Sequence, residues 1–113
     1  MTDLSEKLQL GDRGMRVINA PEGMVLDLPA ATGPNDGVLV FARTRAELDA
    51  HAEPALSAAR ADRLAWIAYP KAGQLDTDLS RDRLWDALEG RGVRPVRQIA
   101  IDGVWSALRF RPA

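Results

Sequence analysis

The chain has 113 residues, with 15 Lys and Arg, 16 Asp and Glu, one His and no Cys, and a formal net charge of −1. That is a single domain, 1–113, with enough chain to bury roughly two-thirds of its unfolded surface around one core. Without Cys there is no disulfide scaffold, thiolate nucleophile or Cys-ligated metal, and a single His (His51) excludes His-pair metal motifs and leaves little room for a His-centred triad.

Leu4, Leu8 and Leu10 fall at roughly helical spacing, and Gly11 is placed to stop a short helix. Met15 to Ala20 reads as a first strand ended by Pro21-Glu22-Gly23, and Met24 to Leu28 as a short second extended piece. Residues 29–36, with two Pro, a Gly and an Asn-Asp pair, read as a loop. Gly37 to Ala42 is a continuous apolar run, the pattern of a strand covered on both faces. Thr44-Arg45-Ala46-Glu47 forms a capping box, with Thr44 at the N-cap and Glu47 reaching back to it. Leu48, Ala52, Ala55, Leu56 and Ala59 give the following helix one apolar stripe, and Pro54 kinks or splits it.

Leu64 to Tyr69 is a second continuous apolar run, closed by Pro70, and 71–78 form a loop. Ser80 reads as an N-cap, with Leu79 and Leu84 as its hydrophobic staple. Leu84, Trp85 and Leu88 make that helix's buried face, and Gly90 or Gly92 ends it. Pro95 to Ile101 and Val104 to Phe110 flank Asp102-Gly103, a favoured type I′ pair. The expected hairpin therefore sets Ile101 opposite Val104 and Ala100 opposite Trp105.

At 46% apolar and 27% charged residues the composition is that of a globular domain, and no apolar run approaches the ~20 residues of a membrane-spanning helix. The acidic, amphipathic start lacks the basic-then-apolar order of a signal peptide, so cytoplasmic residence is the default expectation. Residues 1–57 carry five basic and nine acidic side chains and residues 58–113 ten and seven, leaving the two halves at −4 and +3. Arg outnumbers Lys 13 to 2, which suits anion recognition through the guanidinium fork; a coding bias toward Arg accounts for the same count.

From Gly37 the order is strand, helix, strand, helix, hairpin. Right-handed crossovers make 37–42 and 64–69 parallel neighbours. The expected fold is α/β: about five strands in a mostly parallel sheet flanked by helices, with a C-terminal antiparallel hairpin. This order resembles the second half of the Rossmann-like fold of class I S-adenosylmethionine-dependent methyltransferases, whose terminal hairpin inserts its last strand backwards. The resemblance implies the strand order 15–20, 37–42, 64–69, 104–110, 95–101. In that family a Gly-rich loop and helix after the first strand hold the cofactor, and a carboxylate after the next strand holds the ribose. Here a single Gly follows the first strand, and only the 16 residues 21–36 precede the next, too few for a helix, a strand and a second helix. The cofactor half is missing, so no cofactor is expected and the protein is read as leaning away from enzymatic activity.

Three stretches also carry a resemblance to a small bacterial family catalogued as a domain of unknown function. They are Ile18-Asn19-Ala20-Pro21-Glu22-Gly23, Trp66-Ile67-Ala68-Tyr69-Pro70-Lys71, and the tail from Arg94-Pro95-Val96-Arg97 through Trp105-Ser106-Ala107-Leu108-Arg109-Phe110-Arg111-Pro112. That resemblance brings no activity, substrate or catalytic residue with it.

Ligands of open α/β sheets bind beyond the carboxyl ends of the strands. Those ends would gather Asn19, Glu22, Arg43, Tyr69 and Lys71 around one crevice, where Arg43, Lys71 and the helix start at Thr44 favour an anionic ligand. The plain alternative is that these are turn residues with their charges in water. Asp76, Asp78 and Asp82 match no calcium loop and read as helix-start acids, and His51 as a boundary residue. Trp66 and Trp85 read as core. Trp105, Arg97, Arg109 and Arg111 on the hairpin form the candidate partner surface, for a second copy of the chain or another protein. The net charge argues against strong nucleic-acid binding. No catalytic residue or metal ligand set stands out. The reading is a non-catalytic binding or protein-interaction module; the alternative is a small anionic-ligand-binding regulator or minor enzyme using the crevice.

Overall fold

A computed structural model describes residues 4–11, 13–24, 26–31, 33 and 36–113. In chain order they form α1 (Leu4–Lys7), β1 (Met15–Ile18), β2 (Gly37–Phe41), α2 (Arg45–His51), α3 (Glu53–Arg60), β3 (Ala65–Pro70), α4 (Arg81–Leu88), β4 (Val93–Ala100) and β5 (Trp105–Pro112).

Local chemistry sets the boundaries. Gln9, not Gly11, ends the first helical turn: its φ is 59°, and the Leu10 N–H donates back to Ser5 O at 3.0 Å. β1 stops at Ile18 because Asn19 is left-handed, with φ 60°. The extended piece expected at 24–28 is not a strand over its described residues, Met24 and 26–28; Val25 lies outside them. Instead Met15 makes a single parallel bridge to Ala30, its N–H donating to Pro29 O at 2.8 Å. The chain approaches so closely here that a Cβ on Gly14 would run into the Ala30 carbonyl. The loop expected at 29–36 includes Thr32, Pro34 and Asn35, which also lie outside the described residues.

Both N-caps form, Thr44 accepting from the Glu47 N–H and Ser80 from the Arg83 N–H, each at 3.2 Å. The Glu47 carboxylate, however, turns to Asn19 Nδ2 at 2.8 Å and the Arg43 N–H at 3.4 Å, so the reciprocal half of the capping box is absent. Pro54 sits in the first turn of α3, and the predicted single helix is two helices hinged at Ala52.

The five strands form one sheet in the order β1-β2-β3-β5-β4. β1–β2 and β2–β3 are parallel, and β3–β5 and β5–β4 antiparallel, so the sheet is mixed rather than mostly parallel. The hairpin register also differs from expectation: Ala100 faces Ser106, not Trp105. The Asp102 carboxylate accepts from the Val104 and Trp105 N–H groups at 2.8 and 2.7 Å. Neither Asp102 nor Gly103 has the positive φ that a type I′ turn requires. A side chain that satisfies two turn amides has displaced the two-residue loop.

The three longer helices share one face of the sheet, and the single turn of α1 lies on the other, where Leu4 packs. Both crossovers, β2 to β3 and β3 to β4, step across the sheet in one direction, and right-handedness then puts α2, α3 and α4 on one face. There Val38, Val40, Ile67, Leu108 and Phe110 pack against Leu48, Leu56, Leu84 and Leu88. Trp85 is half-buried at the margin of that core. The opposite face (Leu39, Phe41, Trp66, Ala68, Trp105) is covered by Leu8 and Leu10 and by half-buried Met24, Leu26 and Leu28. Trp66 is fully buried, and its indole N–H donates to Leu8 O at 3.0 Å, fastening the N-terminal segment to the sheet.

β4 is an edge strand that discourages further pairing. Pro95 lacks an N–H, and the register slips between Pro95 and Arg97, leaving exposed Val96 in a bulge. No helix among the described residues is long and apolar enough to cross a membrane.

Candidate functional site

The five residues expected around one crevice divide between two recesses. Strand alternation separates them. Ala65, Ile67 and Tyr69 point to the helix-covered side of β3, whereas Trp66 and Ala68 point away from it.

The first recess, a cavity of about 240 Å³, is lined by Asn19, Ala20, Pro21, Glu22, Arg43, Glu47, Leu75 and Trp105. Its polar groups are engaged with one another. Asn19 Nδ2 donates to Phe41 O at 2.9 Å and to Glu47 Oε1 at 2.8 Å, and Arg43 Nε stands 3.7 Å from Glu47 Oε2. Two carboxylates face one guanidinium, the wrong balance for the anionic ligand expected here. Trp105 forms a wall, held edge-on to Phe41 with ring centroids 5.2 Å apart.

The second recess, of about 210 Å³, is lined by Tyr69, Lys71, Ala72, Ser80, Arg81, Gln98 and Ser106. It lies where β3 ends and α4 begins. Tyr69 is 2% exposed, and its hydroxyl has no hydrogen-bond partner among the described residues. Burial pushes the phenol above its ordinary value near 10; Arg81 pulls it down and Asp82 pushes it up, both to a lesser degree. Arg81, Gln98 and Ser106 were not among the expected site residues. Arg81 was within reach, because it follows the recognised N-cap Ser80; Gln98 and Ser106 depend on the hairpin register, which the Asp-Gly pair misled.

The hairpin surface also differs from expectation. Trp105 is 5% exposed and offers nothing to a partner, because odd residues of β5 face the core that Leu8 and Leu10 cover. Arg97, Arg109 and Arg111 do come together: Arg97 pairs with Arg109 and Arg94 with Arg111 in the β4–β5 register. Burial first, then the charges of Arg111, Arg13 and Arg97, hold the Arg109 guanidinium below its ordinary range, with Asp62 acting against them. Arg109 donates to Gln9 Oε1 at 2.6 Å, and its Nε is buried without a partner. Arg111 meets Asp62 at 3.2 Å. Arg13 donates to the backbone carbonyls of Leu10 and Gln9, and Arg94 to that of Pro112. Among the described residues, the face thus gathers Arg13, Arg94, Arg97, Arg109 and Arg111 around the carboxylate of Asp62. Arg94 stands opposite Arg111, where a two-residue Asp-Gly loop would also put it, and the bulge at Pro95/Arg97 brings Arg97 opposite Arg109; Arg13 lies far off in sequence.

The three acids expected at a helix start are separated. Asp78 accepts from the Arg45 N–H at 2.8 Å, at the start of α2, while Asp82 lies in the first turn of α4. Asp76 occupies a left-handed turn with Leu75, both at φ 53°. Among the described residues, no three His, Asp or Glu side chains converge as a metal would require. His51 closes α2, half-buried. No family model, curated protein or solved structure matches the chain.

Proposed function

We propose that the chain is a methyltransferase-like half-sheet serving as a non-catalytic binding module, which takes an acidic segment of a partner protein on its arginine face. The fold half of this reading is supported by the strand order, in which β5 is inserted against its neighbours between β3 and β4. The partner half is carried by one observation: among the described residues, five guanidinium groups gather around the Asp62 carboxylate, in a chain whose net charge is −1. Charge concentrated this way steers and orients an oppositely charged partner.

The face has no exposed aromatic ring on which bases could stack, since Trp66 and Trp105 are both buried. A second copy is the poorer occupant. A two-fold interface would set the arginine face against itself, and Pro95 with the Val96 bulge obstructs edge-to-edge pairing.

Titration with a glutamate-rich peptide at low ionic strength tests the reading. Micromolar binding is expected, weakening about tenfold or more between low and physiological salt, and Arg94→Glu with Arg97→Glu abolishes it. Absence of binding at low salt, or binding indifferent to the double variant, would overturn the reading. A single-stranded oligonucleotide of equal charge that binds more tightly would reassign the face to nucleic acid.

A further inference from the structure

The geometry points to a second, independent site: we propose that the recess at Tyr69, Lys71 and the start of α4 binds the phosphate head of a small phosphomonoester. Four features of the recess converge on an oxyanion. Tyr69 lines the recess, and its buried hydroxyl has no partner among the described residues, a state that is costly unless an acceptor arrives. Lys71 and Arg81 line the same recess, and neither takes part in an ion pair among the described residues.

The third feature is the end of α4, an eight-residue helix whose axis begins at the recess. Ser80 takes the Arg83 N–H on its side chain and the Leu84 N–H on its carbonyl. The N–H groups of Arg81 and Asp82 are those that the helical ladder leaves over, and a helix start carries partial positive charge. Fourth, the buried Ser106 and the Gln98 amide of the hairpin complete the lining with groups able to hydrogen-bond an oxyanion.

Charge and size narrow the ligand. Two cations and a helix start oppose one nearby carboxylate, Asp82, and this balance favours a dianion over a monoanion. A cavity of about 210 Å³ holds a phosphate group and only a few atoms of what carries it. The place also fits: it lies beyond the carboxyl ends of β3 and β4, where open α/β sheets hold their ligands.

Calorimetric titration of the full chain with inorganic phosphate and with methyl phosphate tests the proposal, with acetate as the monoanion control. Dissociation constants of about 1 mM or below are expected for both phosphates, with acetate at least about tenfold weaker. Arg81→Gln and Lys71→Gln each weaken phosphate by about tenfold and Tyr69→Phe by about fivefold, whereas Arg94→Glu with Arg97→Glu leaves it unchanged. Tyr69 is the chain's only tyrosine, so its ionisation can be followed by absorbance, and bound phosphate should raise its pKa further. The proposal is overturned by no binding up to about 50 mM phosphate, by a phenol pKa indifferent to bound phosphate, or by loss of binding in the Arg94/Arg97 variant instead.

Discussion

The two recesses at the strand ends are built from similar parts and have reached opposite states. In the first, Asn19, Arg43 and Glu47 satisfy one another, and the Asn19 amide ties the end of β1 to β2 through the Phe41 carbonyl. In the second, a buried hydroxyl has no partner and two cations take part in no ion pair, in both cases among the described residues. Hydrogen bonds closed within the protein stabilise the fold. Polar groups left open at a buried site add little stability and keep their bonding capacity for a ligand. The comparison separates structural polarity from binding polarity at one rim of one sheet.

Substitutions should therefore act on different observables at the two places. The largest stability effect is expected for Asn19→Ala, which loses both side-chain bonds and puts Ala at φ 60°; denaturant unfolding should show a loss of about 2 kcal/mol. Asn19→Gly keeps the backbone freedom and should lose about 1 kcal/mol, so the difference between the two variants reports the left-handed strain. Neither should alter phosphate binding.

Tyr69→Phe inverts the pattern. Removing a buried hydroxyl that bonds to nothing should leave stability unchanged or raise it by up to about 1 kcal/mol, while weakening phosphate. A clear loss of stability in this variant would show that the hydroxyl is already satisfied, and the contrast between the recesses would collapse.

Alkaline pH gives a further distinction. The folded phenol ionises above its ordinary value near 10, so below that pH it is neutral in both states and stability is unaffected. As pH rises past 10 the unfolded chain releases its proton first, and stability falls; Tyr69→Phe should lack this component when unfolding midpoints at alkaline and neutral pH are compared. The smallest effects belong to Lys71→Gln and Arg81→Gln, each expected within about 0.5 kcal/mol of the parent because both side chains reach solvent.

Much of this architecture was legible in the residues. The apolar runs at 37–42 and 64–69, the caps at Thr44 and Ser80, the break at Pro54 and the buried Trp66 all follow from short-range rules, and the strand order followed from the resemblance. The division of the crevice was not read, although alternation along Trp66-Ile67-Ala68-Tyr69 already sends Tyr69 to the face opposite Trp66. Strand ends are points on two faces, not points on one line. The hairpin was misread for a different reason: Asp-Gly favours a type I′ turn, but the Asp102 carboxylate can bind two amides of its own turn, and that bond shifts the register by one residue. Trp105, placed by the pairing of β5 with β3, packs edge-on to Phe41 in the core and walls the first recess.

The contrast between the recesses is tested most directly by following backbone amide resonances of the intact chain during a titration with inorganic phosphate. The account predicts saturable shifts at Lys71, Arg81, Asp82 and Ser106, with Asn19 to Glu22 and Arg43 stationary. Shifts centred on the Asn19–Arg43 recess or spread over the arginine face, or no saturable shift at all, would contradict it.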